Sequence, residues 1–538
     1  MSDFKFSCPN CDQHLNVDDG WAGHQIACPS CQSQIRVPEA PTVRNAGGVE
    51  VAGATPPEMS NAGAGSGKEG GKTGLILAIV GAIVVIGGGV GGFLLLKSKG
   101  GDGGGPTDAG PSTASENGAA GAEPGGGGEM NFPVPAASSG AAKGSGFPTE
   151  FSWPQWRGPN RDGLSGEKGL ATQWPDEGPP LVWKATGCGK GFSSVAVAGG
   201  RVYTMGDGSG SSSAHCFDEN TGAKVWSSKP LGRTGGNYAG TKSTPTVDGN
   251  RVYVLGQFGD LVCLNAGDGS EVWRKNLVSD FSGKFSQWNY AESPLIDGEK
   301  LVVSPGGRAG LMLALNKSNG SPIWRTGDWR EEVQYVSSIV SNLGGRKNYI
   351  QLTQQTLAGV DAETGRIVWR VPRKGATAVI PTPVVYNNIV FVTSGYNVGC
   401  NAFQVSGSGG RASARPIYAS KDMVNHHGGV VLVDKYVYGH SDRGGWKCLD
   451  VTTGRVMWSD NGVRKGSVVY ADGHLYCRSE ESNGMVALVE ATPEGYREKS
   501  RFRQPDRSRD KSWAHPVVVN GKLFLRDQDV LLCFDVRG

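Results

Sequence analysis

The sequence carries no surplus of either charge. Lys and Arg number 53 and Asp and Glu 50, for a formal charge of +3. So small an excess gives no reason to expect a nucleic acid or an anionic lipid as partner. There is no C-x-x-C-H motif, since Cys11 is followed by Asp12 and Cys31 by Gln32, which excludes a c-type haem attachment. No two cysteines are adjacent. The eleven cysteines divide into four near the N-terminus and seven spread over the rest, which is not the framework of a small disulfide-stapled domain. Long apolar runs are almost missing. The one exception is Thr73 to Leu96, 24 residues without a charge.

Glycine is abundant, at 85 residues against a usual share of about 7%. Part of it punctuates a repeated unit. Asp260–Trp273 reads DLVCLNAGDGSEVW, with Asn265, Gly269 and Trp273 four residues apart. The spacing recurs as Asp218-Gly222-Trp226, Asn316-Gly320-Trp324, Asp361-Gly365-Trp369 and Asp450-Gly454-Trp458. Asp or Asn opens a turn, Gly takes a positive φ, and Trp stands on the outgoing strand. A period of about 45 residues built from strands is that of a propeller blade. Strand starts near Ser194, Ser243, Ser293, Ser337, Thr382, Gly428, Ser467 and Pro516 count eight units. The eighth stops at Leu531–Asp535 without a last strand, while Val182-Trp183 is a last strand without a unit. The simplest closure lets the N-terminal strand complete blade eight and leaves no long edge. Seven blades would orphan one unit. The expected fold is therefore all-β, an eight-bladed propeller over 151–538, with Trp183, Trp226, Trp273, Trp324, Trp369 and Trp458 as docking residues.

The D/N-x-x-x-G-x-x-x-W unit resembles the tryptophan-docking repeat of the pyrroloquinoline-quinone (PQQ) propellers, nearer to the non-enzymatic PQQ-like repeat proteins of the BamB type. The opening Trp153-Pro-Gln-Trp156-Arg-Gly-Pro-Asn-Arg-Asp-Gly163 resembles the start of PQQ-like proteins of planctomycete-type bacteria. The resemblance covers about 151–538 and speaks for fold more than for function. PQQ dehydrogenases of this architecture use a vicinal disulfide beside the cofactor and an acidic calcium site. With no Cys-Cys pair here, no catalytic residue carries over and PQQ is not expected as a cofactor. The Trp153–Gly163 stretch reads either as a binding lip or, preferably, as a strap packing its rings over the closing blade.

Ahead of the propeller, Cys8-Pro-Asn-Cys11 and Cys28-Pro-Ser-Cys31 form two knuckles separated by 16 residues. That spacing predicts a zinc ribbon over 1–40, ligated by Cys8, Cys11, Cys28 and Cys31, with structural Zn holding a piece too small for a core. His14 and His24 are then bystanders. A linker spans 41–72. The apolar run makes 73–97 a transmembrane helix, since its length suffices to cross a bilayer. Gly74, Ala78 and Ala82, with Gly87/Gly91 and Gly88/Gly92, form small-residue rows that could pack two helices closely as a homodimer through this helix; small residues are also common in transmembrane helices without dimerisation. Lys68 and Lys72 on one side balance Lys97 and Lys99 on the other, so charge does not orient it. A thiolate–zinc ribbon suits a reducing compartment and propellers of this type are exported, which places the ribbon in the cytoplasm and the propeller outside the inner membrane. Residues 98–150 are a Gly/Ala/Pro/Ser-rich linker expected to stay disordered.

Two groups of side chains invite chemistry. Cys216, Cys263, Cys448 and Cys533 each precede the turn residue by two, in a slot that elsewhere holds Ala314, Gly359 or Ala402. A slot open to Cys, Ala and Gly is a small packing position. Polar residues at strand starts form the second group: Lys242, Glu292, His426, His427, Lys465 and His515, followed by His440, Asp442 and Arg443. Innermost strands converge on the axis, so these are the candidates for a ligand-binding funnel. The favoured function is a membrane-anchored scaffold that binds envelope proteins through propeller loops. The rivals are an oxidoreductase or hydrolase using the funnel, and a transmembrane ligand sensor.

Overall fold

The computed structural model describes residues 3–9, 14–18, 23–28, 33–38, 151–408 and 411–538. Cys11, Cys31, the expected linkers at 41–72 and 98–150 and the expected transmembrane helix at 73–97 lie outside them. The described residues contain strands and no helix, and hence no helix long and apolar enough to cross a membrane. The chain divides into two units, Met1–Glu129 and Met130–Gly538.

In the first unit Asp3–Ser7 pairs with His14–Asp18 and Gln25–Ala27 with Gln34–Arg36, both antiparallel. Each C-x-x-C knuckle begins at the end of the first strand of a hairpin. Cys8 and Cys28, the two knuckle cysteines described, are buried in one cluster with Ile35, against Ile26.

The second unit is a ring of eight antiparallel sheets. Their innermost strands are Ala196–Ala198, Thr246–Asp248, Leu295–Asp297, Ile339–Leu343, Val384–Tyr386, Val430–Val433, Gly466–Ala471 and Val517–Val519. Each begins within a few residues of the start read from the repeat. Blade eight is completed from the other end of the domain. Leu181–Ala185 pairs with Val530–Asp535, bringing Trp183 opposite Cys533. The unmatched N-terminal strand and the truncated last unit thus complete one another, and the ring has eight blades.

Docking between blades follows one rule. The small slot faces the large ring within a blade: Cys216 opposite Trp226, Cys263 opposite Trp273, Ala314 opposite Trp324, Gly359 opposite Trp369 and Cys448 opposite Trp458. A register shift in that strand pair accompanies each facing pair, as a bulge does when it re-aims a side chain. The indole then reaches the next blade. Nε1 of Trp226 donates to Ala266 O at 3.0 Å, Trp273 to Lys317 O at 3.0 Å, Trp324 to Ala362 O at 3.2 Å and Trp458 to Thr492 O at 2.7 Å. The turn glycine of the receiving blade lies against the ring. A Cβ on Gly269, whose φ is 73°, would come within 2.5 Å of Trp226. Blade five has no such turn. Its outer hairpin, Gly399–Ser408 with Arg411–Ser420, runs on for ten residues per strand. Trp369 Nε1 accordingly finds no acceptor among the described residues. Tyr418 takes the tryptophan's place in blade five, facing Ala402 and donating to Val451 O at 3.0 Å.

The cysteines of the propeller are buried and none forms a disulfide. Burial pushes the Cys216 and Cys263 thiols up to about 11 and Cys448 up to about 12, which keeps them protonated.

Candidate functional site

The Trp153–Gly163 stretch fills one end of the axis. Trp153 bridges to Val197 of blade one, and Pro154 O accepts from Val247 N of blade two at 2.7 Å. Arg161 donates to Ser293 O and Pro294 O of blade three and to Ser338 O of blade four. Trp156 Nε1 donates to Thr382 Oγ1 of blade five at 3.0 Å, and Arg157 to Val430 O of blade six. Leu164-Ser165 continues blade seven in parallel beside Tyr470-Ala471. Phe151 N, just ahead, donates to Asn520 Oδ1 of blade eight at 3.0 Å. The segment therefore touches all eight blades. The expected strap is present in part, since Trp153 joins the cluster around the closing blade. Trp156 does not: it stands on the axis with its ring 4.6 Å from His515.

Two arginines inside this plug are wholly desolvated. Burial lowers Arg157 to about 10 and Arg161 to about 9, with Asp162 and Glu292 respectively opposing the shift. Arg161 still donates to carbonyl oxygens of two blades, and Arg157 to Val430 O and to Asp162 O of the plug itself, which fits the planar fork of arginine and not the point charge of lysine.

Above the plug a cavity of about 70 Å³ remains, lined by Trp156, Lys242, Tyr335, His427, Trp513 and His515 among others. Trp513 roofs it. Its ring lies 4.6 Å from Phe192 and 3.9 Å from His427, stacked on the latter at 15°. Beyond the roof the channel opens into a mouth of about 210 Å³ that shares His427 and Trp513 and adds Tyr238, Trp288, Tyr396, His426, Lys465 and Glu480.

The candidates read from sequence therefore separate. Lys242, His427 and His515 line the inner cavity, and His426, His427 and Lys465 the mouth. Asp442 reaches it through Lys465, at 2.7 Å. Glu292 turns the other way, its carboxylate accepting from Ser304 N, and burial lifts it to about 7. Its neighbours Ala291 and Ser293 take the axial side instead. His440 lines neither space and sits edge-on to Trp446 at 5.7 Å. Arg443 lines neither either.

The histidines are held neutral. Burial lowers His426 and His515 to about 3, with Lys465 and Arg157 adding to the respective shifts, and burial lowers His427 well below its ordinary value. His515 Nε2 lies 2.9 Å from His427 O, so it carries the proton there. Lys465 Nζ lies 2.9 Å from His426 Nδ1. An ammonium only donates, so the His426 proton sits on Nε2. His427 Nδ1 is 3.8 Å from Glu480 Oε2, beyond hydrogen-bond reach. Among the described residues no three His, Cys, Asp or Glu side chains are grouped to hold a metal ion.

The aromatic wall of the mouth escaped the sequence reading. Tyr238, Trp288, Tyr335, Tyr396 and Trp513 occupy loops, mostly the connectors that lead into the next innermost strand, outside the repeat. Their signal was aromatic residues in otherwise polar connectors.

A family model described as "Outer membrane protein assembly factor BamB" matches residues 210–460. The tetrathionate hydrolase of Acidithiobacillus ferrooxidans is 23% identical over 350 residues, 60% of this chain and 60% of the relative. The chain thus spans less than two thirds of that relative's length. The outer membrane protein assembly factor BamB of Moranella endobia is 25% identical over 289 residues, 50% of this chain and 69% of the relative. Among solved structures, the quinohemoprotein alcohol dehydrogenase of Comamonas testosteroni superposes with a TM-score of 0.54 at 12% identity, covering 73% of this chain and 82% of that one. That likeness concerns the fold alone.

Proposed function

We propose that the propeller is a docking module of the bacterial cell envelope, tethered to the inner membrane through residues 73–97 and assembling envelope proteins on its outer surface. The observation that carries this reading is the plug. Residues 151–165 occupy the axis and leave about 70 Å³ behind the mouth. Small-molecule sites typically take about 300 Å³ or more. A tricyclic quinone has no room there, and the vicinal cysteine pair that would flank it is missing from the sequence. What the ring offers instead is rigid surface. The outer strand of blade five, Arg411–Ser420, is ten residues long, against four to six for the outer strands of the other blades. It ends its sheet among the described residues, as a template for an added strand. The similarity to an outer membrane protein assembly factor agrees with an assembly role.

The N-terminal piece is read as a cytoplasmic zinc ribbon. Burial of Cys8 and Cys28 in one cluster fits two knuckles converging on one ion. Bound zinc would supply the fold of a piece that lacks a core of its own.

A photo-crosslinking residue at Arg415, in intact cells, tests the docking role. Crosslinks to a discrete envelope protein are expected, and their loss on Ile417→Asp. Crosslinks spread equally over other exposed sites, such as Val225 and Val272, would remove blade five from the reading. Protease accessibility tests the topology. Residues 1–40, not the propeller, should be protected in cells with a permeabilised outer membrane, and the reverse pattern would invert it.

A further inference from the structure

Two exposed tyrosines of the mouth hold a backbone conformation that bulky residues avoid. Tyr238 has a φ of 53° and Tyr396 a φ of 55°, and the two residues stay 54% and 40% exposed. Left-handed backbone at an aromatic residue is a true outlier, and such strain gathers at functional positions. Both rings face the same space. Tyr238 lies 5.2 Å from Trp513 and 6.0 Å from Trp288, and Tyr396 stands edge-on to His426 at 4.6 Å. Trp288 is oriented by its Nε1, which donates to Thr377 O at 3.1 Å. It also forms the wall of a second, polar cleft of about 520 Å³ that includes Gln287, Gln334, Gln354 and Glu331. A run of aromatic faces thus leads from the axis into a glutamine-rich cleft.

The polar atoms of the mouth say what those faces meet. His426 Nε2–H and Trp513 Nε1–H are buried donors with no partner among the described residues, and His427 Nδ1 is a third nitrogen without one there. Buried polar atoms left unmade are rare in native proteins and call for an explanation. Near them stands Glu480, largely buried, an acceptor when ionised; burial raises its pKa. A ligand for this mouth has an apolar face to lie on aromatic rings and a rim of groups that both accept and donate. A hydroxyl does both. A quaternary ammonium does neither, and Lys465 and Lys511 beside the rings repel it. A purely apolar chain would leave the nitrogens unmet.

We infer that the mouth binds a glycan, seating one pyranose ring among Tyr238, Trp288, Tyr396 and Trp513 and passing the next units over Trp288 into the glutamine-rich cleft. The C–H faces of the sugar lie on the rings. Its hydroxyls accept from His426 and Trp513 and donate to Glu480. The site goes beyond the docking role and does not rest on it, because the outer strand of blade five, Arg411–Ser420, contributes no residue to the mouth. Peptidoglycan strands and surface polysaccharide both present pyranose rings.

Calorimetry and tryptophan fluorescence on the purified full chain test this, with chitohexaose, cellohexaose and muramidase-released peptidoglycan strands as probes. Saturable binding of at least one probe is expected, with quenching or a shift of tryptophan emission. Chitohexaose or the released strands binding best would identify an amino-sugar polymer as the source; cellohexaose binding best would identify a neutral one. Tyr238→Asn and Tyr396→Asn should each weaken binding tenfold or more, while the melting temperature holds or rises, since asparagine tolerates left-handed backbone. Crosslinking from Arg415 should be unchanged in both. No saturable binding to any probe would overturn the inference, as would equal binding by the double variant. Loss of a protein crosslink in the two variants, without sugar binding by the parent, would assign the mouth to a protein instead.

Discussion

Trp183 Nε1 donates to Glu219 O at 2.9 Å, across the seam between the first and last parts of the propeller. The bond repeats the blade-to-blade rule at the one place where the chain cannot continue it. Beside it Lys522 and Glu219 form a fully buried ion pair at 2.9 Å, and Glu167 accepts from Asn520 N and Gly521 N. Arg526 donates from blade eight to Ser193 O and Thr204 Oγ1 of blade one.

Trp183→Ala should therefore cost on the order of 3 kcal/mol, because a buried ring and its hydrogen bond go together. Deleting residues 151–186 should cost more, since the last sheet loses a strand and the axis its plug. Denaturant melts of both against the parent measure this, and an unchanged midpoint would refute the closure.

Arg161→Ala should destabilise the ring by several kcal/mol. It strands three buried carbonyls, at Ser293, Pro294 and Ser338, each costing about 1–3 kcal/mol when left unmet. Arg161→Lys should recover little, because an ammonium does not span two blades. Equal stability of the lysine variant and the parent would contradict the account.

How much of this was legible follows from where each feature lies. The blades were readable because turn, glycine and ring recur at fixed spacing, so eight innermost strands and the closing strand could be placed. Trp369 was read as a docking residue from that spacing, but the loss of its acceptor and the Tyr418 replacement were not, since the lengthened hairpin of blade five breaks the spacing. The plug was conspicuous as a motif, but its role depends on partners as far as 369 residues away in the chain. The mouth aromatics lie in connectors of unequal length and share no register with the repeat. Glu292 was grouped with the funnel on its place just ahead of an innermost strand, but its carboxylate turns to Ser304 N while Ala291 and Ser293 on either side line the axial cavity.

Acid should destabilise the propeller through its buried histidines. His515 has a folded pKa of about 3 against an ordinary value of 6.5. The unfolded chain then binds the extra proton, so the contribution is present above pH 6.5 and is lost as pH falls toward 3. His515→Gln should flatten the fall in stability between pH 6.5 and 4. Parallel pH profiles for variant and parent would show that His515 is not the group responsible.

The full chain should carry one zinc, bound by four thiolates. Metal analysis of Cys8→Ser should find it lost or much weakened, with the propeller melt unchanged. Parent protein purified without zinc, or a Cys8→Ser chain that keeps it, would end the ribbon proposal.

The central claim is that the axis is sealed by the chain's own residues and that the propeller docks partners without quinone-dependent oxidation of a substrate. A dye-linked oxidation assay on the full chain, given PQQ and calcium with primary alcohols and aldoses, tests it most directly. The account predicts dye reduction at the blank rate for the parent. Turnover that disappears in His427→Ala or His515→Ala would contradict it and assign the axis to catalysis.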